Sequence, residues 1–168
     1  YVSVFGNYPY GRFALTGGLA MANLRNNDGF ENKGRGWTLR PIARFGTVEI
    51  APFASQSTFY LNIQHPLVTV GDDYLPQQPP RRVYLGQDWA RGKYVNNQYG
   101  VTVKAAVTSR LSVRAGLFRG EADRHRNFTE IFSIVDRSGL ANHRLIADPK
   151  QRLHATSGEA QVVYRMAG

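Results

Sequence analysis

The chain has 168 residues, enough for one domain with a hydrophobic core. It contains no cysteine, which excludes disulfide bonds and thiolate metal sites. Lys and Arg outnumber Asp and Glu by 21 to 12, which gives a formal net charge of +9. The basic residues are spread singly along the chain, so the sequence does not indicate a dedicated nucleic-acid patch, and we expect no nucleic-acid partner.

Alternation of apolar and polar residues, the period of a β-strand, recurs along the chain. It predicts seven strands, at 1–5, 12–21, 37–45, 48–53, 99–107, 111–118 and 151–166. A turn rich in Gly, Asn and Pro separates the first two, a Gly-rich loop at 25–36 precedes the third, and Gly46-Thr47 turns into the fourth. Pro41 falls on the apolar parity of its strand, a position that normally indicates a sheet edge or a bulge.

The hairpin at 99–118 shows the alternation most fully. Its apolar residues share one parity in each arm, and Lys104 and Arg114 lie on the other. Each arm has roughly 9–11 residues, the length of a tilted strand that crosses a bilayer. One apolar face and one polar face are typical of a membrane barrel. A soluble β-sandwich shows the same alternation, so the hairpin alone leaves both architectures open.

The lengths of the connections distinguish these architectures. In chain order they are short, medium, short, long, short and long, and the longest are predicted at about 61–97 and 120–150. Strict alternation places the tight turns at one end of the sheet and the long loops at the other, as in outer-membrane barrels. We therefore predict an all-β fold, an antiparallel up-and-down meander. Because the smallest membrane barrels have eight strands, residues 1–168 would be one partial barrel domain of a longer protein.

Two segments carry a resemblance to a known family. They are Asp28-Gly29-Phe30 leading to Gly36-Trp37-Thr38-Leu39-Arg40-Pro41, and Ala147-Asp148-Pro149-Lys150-Gln151-Arg152 continuing into Ala155-Thr156-Ser157-Gly158-Glu159. With the strands between them, they resemble the barrel region of TonB-dependent outer-membrane receptors of the ferric-siderophore type.

The resemblance implies a 22-stranded transmembrane β-barrel of the bacterial outer membrane that imports a ferric siderophore or a similar chelate. Import would be driven by TonB-ExbB-ExbD through an N-terminal plug that this chain lacks. Outer-membrane lipid and lipopolysaccharide would surround the wall. By this reading the chain contributes wall and outer loops and is not an enzyme.

Candidate functional residues follow from these roles. An anionic, aromatic chelate favours Arg, Lys and aromatic side chains at the mouth, and the long loops offer Arg81, Arg82, Tyr84, Trp89, Arg91, Tyr94, Arg124, His125 and Arg126. The polar parity of the strands predicts a lumen-facing set of Arg40, Arg44, Glu49, Lys104, Arg114, Glu159 and Arg165.

Catalytic and metal sites are not indicated. The four histidines are scattered without the spacing of a zinc site, and neither a nucleophile elbow nor a phosphate-binding loop is present. We therefore expect no cofactor and no resident metal. The alternative is a soluble β-sandwich that binds an anionic ligand or polysaccharide through its basic loops. A general porin is a third possibility.

Overall fold

The computed structural model describes residues 2–25, 29, 31–61, 66–71, 80–84, 86–87, 89–134 and 137–165. Nine strands are formed: Val2–Tyr10 (β1), Phe13–Arg25 (β2), Glu31–Phe45 (β3), Val48–Leu61 (β4), Leu67–Val70 (β5), Gly92–Ala106 (β6), Leu111–Ile134 (β7), Ala141–Asp148 (β8) and Gln151–Tyr164 (β9). Among the residues described, no helix is long and apolar enough to cross a membrane.

Seven of the strands form one antiparallel meander in the order β1-β2-β3-β4-β6-β7-β9. The all-β up-and-down fold predicted from the sequence is therefore confirmed. In the described sheet, β1 and β9 are each paired on one side only, and both run in the same direction because the meander has seven members. The 22-strand count is outside what this sheet tests.

The C-terminal part of β7, from Asn127 to Ile134, pairs with the two remaining strands. β8 pairs with it in the same register as β9 does with the preceding part, so β8 and β9 lie end to end along β7, separated by Pro149-Lys150. β5 pairs with the other side of β7, parallel to it, from Leu67 opposite Ile131 onward. The seven-stranded sheet thus extends at one end into a smaller three-stranded one.

Three tight turns lie together at one rim of the sheet. The Arg44 N–H donates to the Arg12 carbonyl at 2.8 Å, that of Ala106 to Thr47 at 3.0 Å, and that of Arg165 to Arg110 at 2.9 Å. The longer connections, which include residues 66–71, 80–91 and 137–140, leave from the opposite rim. We refer to the two ends as the tight-turn rim and the loop rim.

Both predicted long loops contain more strand than expected. β7 continues to Ile134 and is followed by β8, although 120–150 has the composition of a loop, and β6 begins at Gly92, before the predicted strand. Similarly, β3 begins at Glu31, inside the predicted Gly-rich loop. These extensions are polar on both parities, so they have no alternation to detect. Met166, the predicted end of the last strand, lies outside the described residues.

Pro41 lies in a central strand, which corrects the expectation of an edge or a bulge. The register that joins Leu39 to Ala54 and Ala43 to Ile50 sets Pro41 opposite Pro52. Neither proline has an N–H to donate, so the β3–β4 ladder has no assigned pairs between these two points. The register is the same on both sides of the gap, so the strands stay aligned across it.

Cross-strand partners share a face of the sheet, so the registers assign every side chain to one of two faces. On β3, for example, Trp37 and Leu39 are exposed, whereas Gly36 and Thr38 are half-buried. A cavity of about 560 Å³ on the second face is lined from Phe5 on β1 to Ala155 on β9. The sheet therefore curls toward this concave face, and the exposed side chains cover the outer face.

Gly100 on β6 is required by close packing on the concave face. The Phe53 and Phe118 rings meet there with centroids 5.9 Å apart. A Cβ atom at residue 100 would lie 2.3 Å from the Leu117 carbonyl oxygen and 3.0 Å from the Phe53 ring. A backbone atom cannot yield to this contact as a flexible side chain would.

Gly100→Ala should therefore lower the free energy of unfolding by about 1–3 kcal/mol, the usual cost of overpacking. Gly6→Ala is the matched control, since no atom lies within 4 Å of its added Cβ. Urea unfolding of both variants in detergent micelles measures the difference. Equal midpoints for the two variants would contradict this packing.

Candidate functional site: the concave face and the loop rim

An ionic cluster lies on the concave face toward the tight-turn rim. Glu49 on β4 accepts a hydrogen bond from Arg44 Nε at 3.0 Å and lies 3.8 Å from Lys104 Nζ. All three are direct cross-strand partners on β3, β4 and β6. Because the side chains are partly exposed, water screens these ion pairs and each contributes little to stability.

The rest of the predicted lumen set surrounds this cluster. Arg114 lies directly opposite Lys104, and Glu159 opposite Gly116 of the same strand as Arg114. Arg40 has the same parity on β3, whereas Arg165 follows the end of β9 and lies at the tight-turn rim. The concave part of the set has four cations and two carboxylates, so that end of the face is positively charged.

Two of the predicted ligand residues meet at the loop rim. The Arg124 guanidinium lies 5.5 Å from the centroid of the Tyr94 ring, within the range of a cation–π contact. The Tyr94 hydroxyl donates to Asn127 Oδ1 at 2.7 Å, and Asn127 Nδ2 donates to Asp148. Tyr94 therefore joins β6 to β7 and β8, a structural role that its position in a presumed loop did not suggest.

The described residues of 80–84, 86–87 and 89–91 lie between the β2–β3 connection and β7 at this rim. Near one end, the backbone at 82–84 packs against Gly29 of the β2–β3 connection, so closely that a Cβ there would lie 2.6 Å from Tyr84 N. At the other end, Trp89 makes an edge contact with Phe128 on β7, ring centroids 6.0 Å apart. Four of the predicted ligand residues in this segment are exposed: Arg81, Arg82, Trp89 and Arg91.

His125 and Arg126 separate from the rest of the predicted set. The β6–β7 register shifts between Lys93 and Tyr94, opposite Arg126 and Arg124, so the side chains beyond the shift are displaced relative to those below it. His125 lies 4.0 Å from Asp123, and Arg126 is exposed. The structure thus gathers Tyr94 with Arg124 but does not bring all nine candidates into one site.

Asp123 and Arg152 form a bidentate ion pair that the sequence did not single out. Arg152 Nε and Nη2 donate to the two carboxylate oxygens at 2.7 and 3.1 Å. The hydrogen bonds from Arg152 hold the pKa of Asp123 below its ordinary value of 3.8, against the opposing effect of burial. The β7–β9 register makes these two residues partners. That register could not be predicted, because the sequence around Asp123 is polar on both parities and shows no alternation.

Glu130 is a second residue that sequence reasoning missed. Its carboxylate is buried, 1% exposed, and neither oxygen accepts a hydrogen bond of good geometry. His143 Nε2 nevertheless lies 2.5 Å from Oε1, and the imidazole stacks on Phe132 with centroids 4.4 Å apart. In the described residues, no group of three or more His, Cys, Asp and Glu side chains could hold a metal ion.

Comparisons with known proteins give one structural likeness. No protein-family model matches the sequence, and no curated protein matches it. Among solved structures, the chain is similar to the outer membrane transporter YddB from Escherichia coli, with a TM-score of 0.41 and 13% sequence identity. The alignment covers 93% of this chain and 24% of that transporter, so the chain spans about a quarter of its length.

The lowered pKa of Asp123 predicts acid sensitivity. Its contribution to stability is present above the ordinary pKa near 4 and is lost as the pH falls through the lowered folded value. Asp123→Asn should be less stable than wild type at pH 7, and the difference should shrink steadily below pH of about 4. Urea midpoints measured between neutral and acid pH check this, with Glu31→Gln, from the exposed pair with Lys33, as the control. A difference independent of pH would refute the prediction.

Proposed function

We propose that the chain is part of the wall of a transmembrane β-barrel in a bacterial outer membrane, a transport protein rather than an enzyme. The observation that carries the proposal is the composition of the outer face. Over seven strands, the outward residues of a continuous band contain no charged side chain. The band comprises the outward residues of 2–10, 13–21, 37–45, 48–54, 99–105, 111–117 and 158–164.

The height of this band suits a bilayer. On β2 it runs from Phe13 to Met21, nine residues. A tilted strand needs roughly 9–11 residues to cross a bilayer. Exposed aromatic residues lie near the edge of the band at the tight-turn rim, including Tyr10, Phe13, Phe45 and Tyr164. Outer-membrane barrels have a girdle of aromatic residues at such an edge.

The band is also slanted relative to the hydrogen-bonded rows of the sheet. Met21 is the outward apolar residue of β2 nearest the loop rim, and it is in register with Asp123 of β7. The band on β7 ends at Leu117, six residues closer to the tight-turn rim. Strands of a barrel tilt relative to its axis, so a level hydrophobic slab crosses successive strands at shifted positions. A half-solvated sandwich face has no such requirement, which favours the membrane barrel.

The finer form of the proposal is a TonB-dependent receptor that imports a ferric siderophore or similar chelate. Its support is the resemblance described above together with the exposed arginines of the loop rim, whose charge suits an anionic chelate. In that form, energy from TonB-ExbB-ExbD would reach the barrel through a plug, and the cations near the tight-turn rim would meet acidic groups on it.

The orientation of the outer face can be tested with one added charge. Val103 faces outward within the band and Thr102 faces the concave side of the same strand. Val103→Lys should lower the free energy of unfolding in phospholipid vesicles by roughly 2–4 kcal/mol, the cost of a cation near the membrane midplane. Thr102→Lys, the matched control, should cost well under half as much because it faces water.

The same experiment distinguishes the soluble alternative. A β-sandwich would remain folded and monomeric without detergent, and its outer face would be half in water. Solubility of the wild-type chain in buffer, with equal effects of the two lysine substitutions, would overturn the membrane assignment.

The finer proposal predicts binding of an anionic iron chelate at the loop rim. Ferric citrate should bind the folded chain, and replacing Arg81 and Arg82 together by Ala should weaken it by about tenfold, or about 1.4 kcal/mol. Arg12 and Arg110 replaced together remove the same charge at the opposite rim and should leave binding unchanged. Iron retention in equilibrium dialysis measures both. Equal losses from the two double variants would indicate a general effect of charge and no rim site.

A further inference from the structure

The concave face contains a band without charge, between the ionic cluster and the loop rim. It consists of two adjacent rows that cross all seven strands of the meander. The rows are Ser3, Ala20, Gly36, Ser57, Asn96, Ala122 and Leu153, and Phe5, Gly18, Thr38, Ser55, Gln98, Gly120 and Ala155. Thirteen of these fourteen residues line the cavity of about 560 Å³.

Five polar side chains stand together within this band. They lie on the adjacent strands β3, β4 and β6, and they are Thr38, Ser55, Ser57, Asn96 and Gln98. Hydroxyl and amide groups both donate and accept hydrogen bonds. Across the residues that the structure describes, no hydrogen bond ends on any of the five side chains. Their donors and acceptors all remain available to a molecule in the cavity.

The same residue types are satisfied on the other side of the sheet. Gln56 and Asn97 also border the cavity, but by register their side chains face outward, and Gln56 Nε2 donates to Asn97 Oδ1 at 2.9 Å. The unpaired state of the inward amides is therefore not a general property of these strands.

The remaining lining residues make room for a ligand. Glycine and alanine occupy six of the other nine positions in the two rows, and the Phe5 ring lies directly over Gly18, where a Cβ would come within 2.4 Å of it. Six further residues border the cavity, Glu121 and His154 among them, and by register their side chains face outward. A volume of about 560 Å³ falls in the range typical of small-molecule sites. The phenyl ring offers an apolar surface for the C–H face of a ring-shaped ligand.

From these observations we infer that the cavity binds an uncharged ligand, or an uncharged part of one, that is rich in hydroxyl and amide groups, as N-acetylated sugars are. Neither row offers a counter-charge to a charged group in the cavity; the nearest inward-facing charges, Arg40 and Arg124, each lie one row beyond the band. The inference rests on the proposed function, because the concave face of a barrel wall lines the bore. Rim arginines would attract an anionic portion, and the neutral band would receive the uncharged portion.

The test uses the chain folded in detergent micelles and the disaccharide N,N′-diacetylchitobiose, which is neutral and has hydroxyl and acetamide groups. Ligand-observed NMR should give a Kd on the order of 1 mM. Digalacturonate, a disaccharide of similar size with two carboxylates, should bind at least about tenfold more weakly.

A pair of neighbouring variants locates the site. Ala155→Trp fills the cavity from β9, whereas Thr156→Trp places the same side chain on the outer face one residue further along. The first should weaken diacetylchitobiose binding at least about tenfold, and the second should leave it unchanged. Far-UV circular dichroism establishes that both variants are folded.

Each other outcome counts against the inference. Equal affinity for the two disaccharides, or equal effects of the two Trp variants, would overturn it while the barrel stands. A folded chain that binds neither disaccharide would overturn it too, and would point to a protein segment as the occupant of the cavity. Failure of the proposed function is read separately: equal effects of Val103→Lys and Thr102→Lys would overturn the barrel wall whatever the two disaccharides do.

Discussion

The structure depends on one constraint, the alignment of strand parity across the whole meander. A slip of one residue between any two strands would carry every following side chain to the opposite face. Charged residues would then enter the apolar band, and apolar ones would move to the concave face. Tight turns at one rim set the registers locally, and the bridge from Glu49 to Arg44 and Lys104 is possible only in the observed alignment. Even the gap at Pro41 leaves the register unchanged.

Sequence reasoning could predict the strands whose two faces differ in chemistry. The arms around Lys104 and Arg114 are apolar on one parity only, so their pairing and the face of each side chain could be predicted, although both strands extend beyond the predicted ends. It could not predict the upper parts of β6 and β7, because Tyr94 to Gln98 and Arg124 to Glu130 are polar on both parities. In such stretches the backbone pairing, rather than side-chain burial, decides that a strand continues.

The candidate site shows the same division. The polar parity identified Arg44, Glu49 and Lys104 before any coordinates, since inward-facing charges are spaced by two along each strand. Contacts between residues far apart in the chain could not be predicted from the sequence. Asp123 meets Arg152 and Tyr94 meets Asn127 only because long strands run side by side above the apolar band. The five inward hydroxyl and amide groups escaped notice because their residue types are ordinary in loops.

The directions of β1 and β9 have a consequence for how the proposed barrel would close. The two strands run the same way because the meander has seven members. In an all-antiparallel barrel each strand runs opposite to its neighbours, so an odd number of further strands would have to connect β9 back to β1. Seven strands plus an odd number give an even total, which is the parity that bacterial single-chain outer-membrane barrels share.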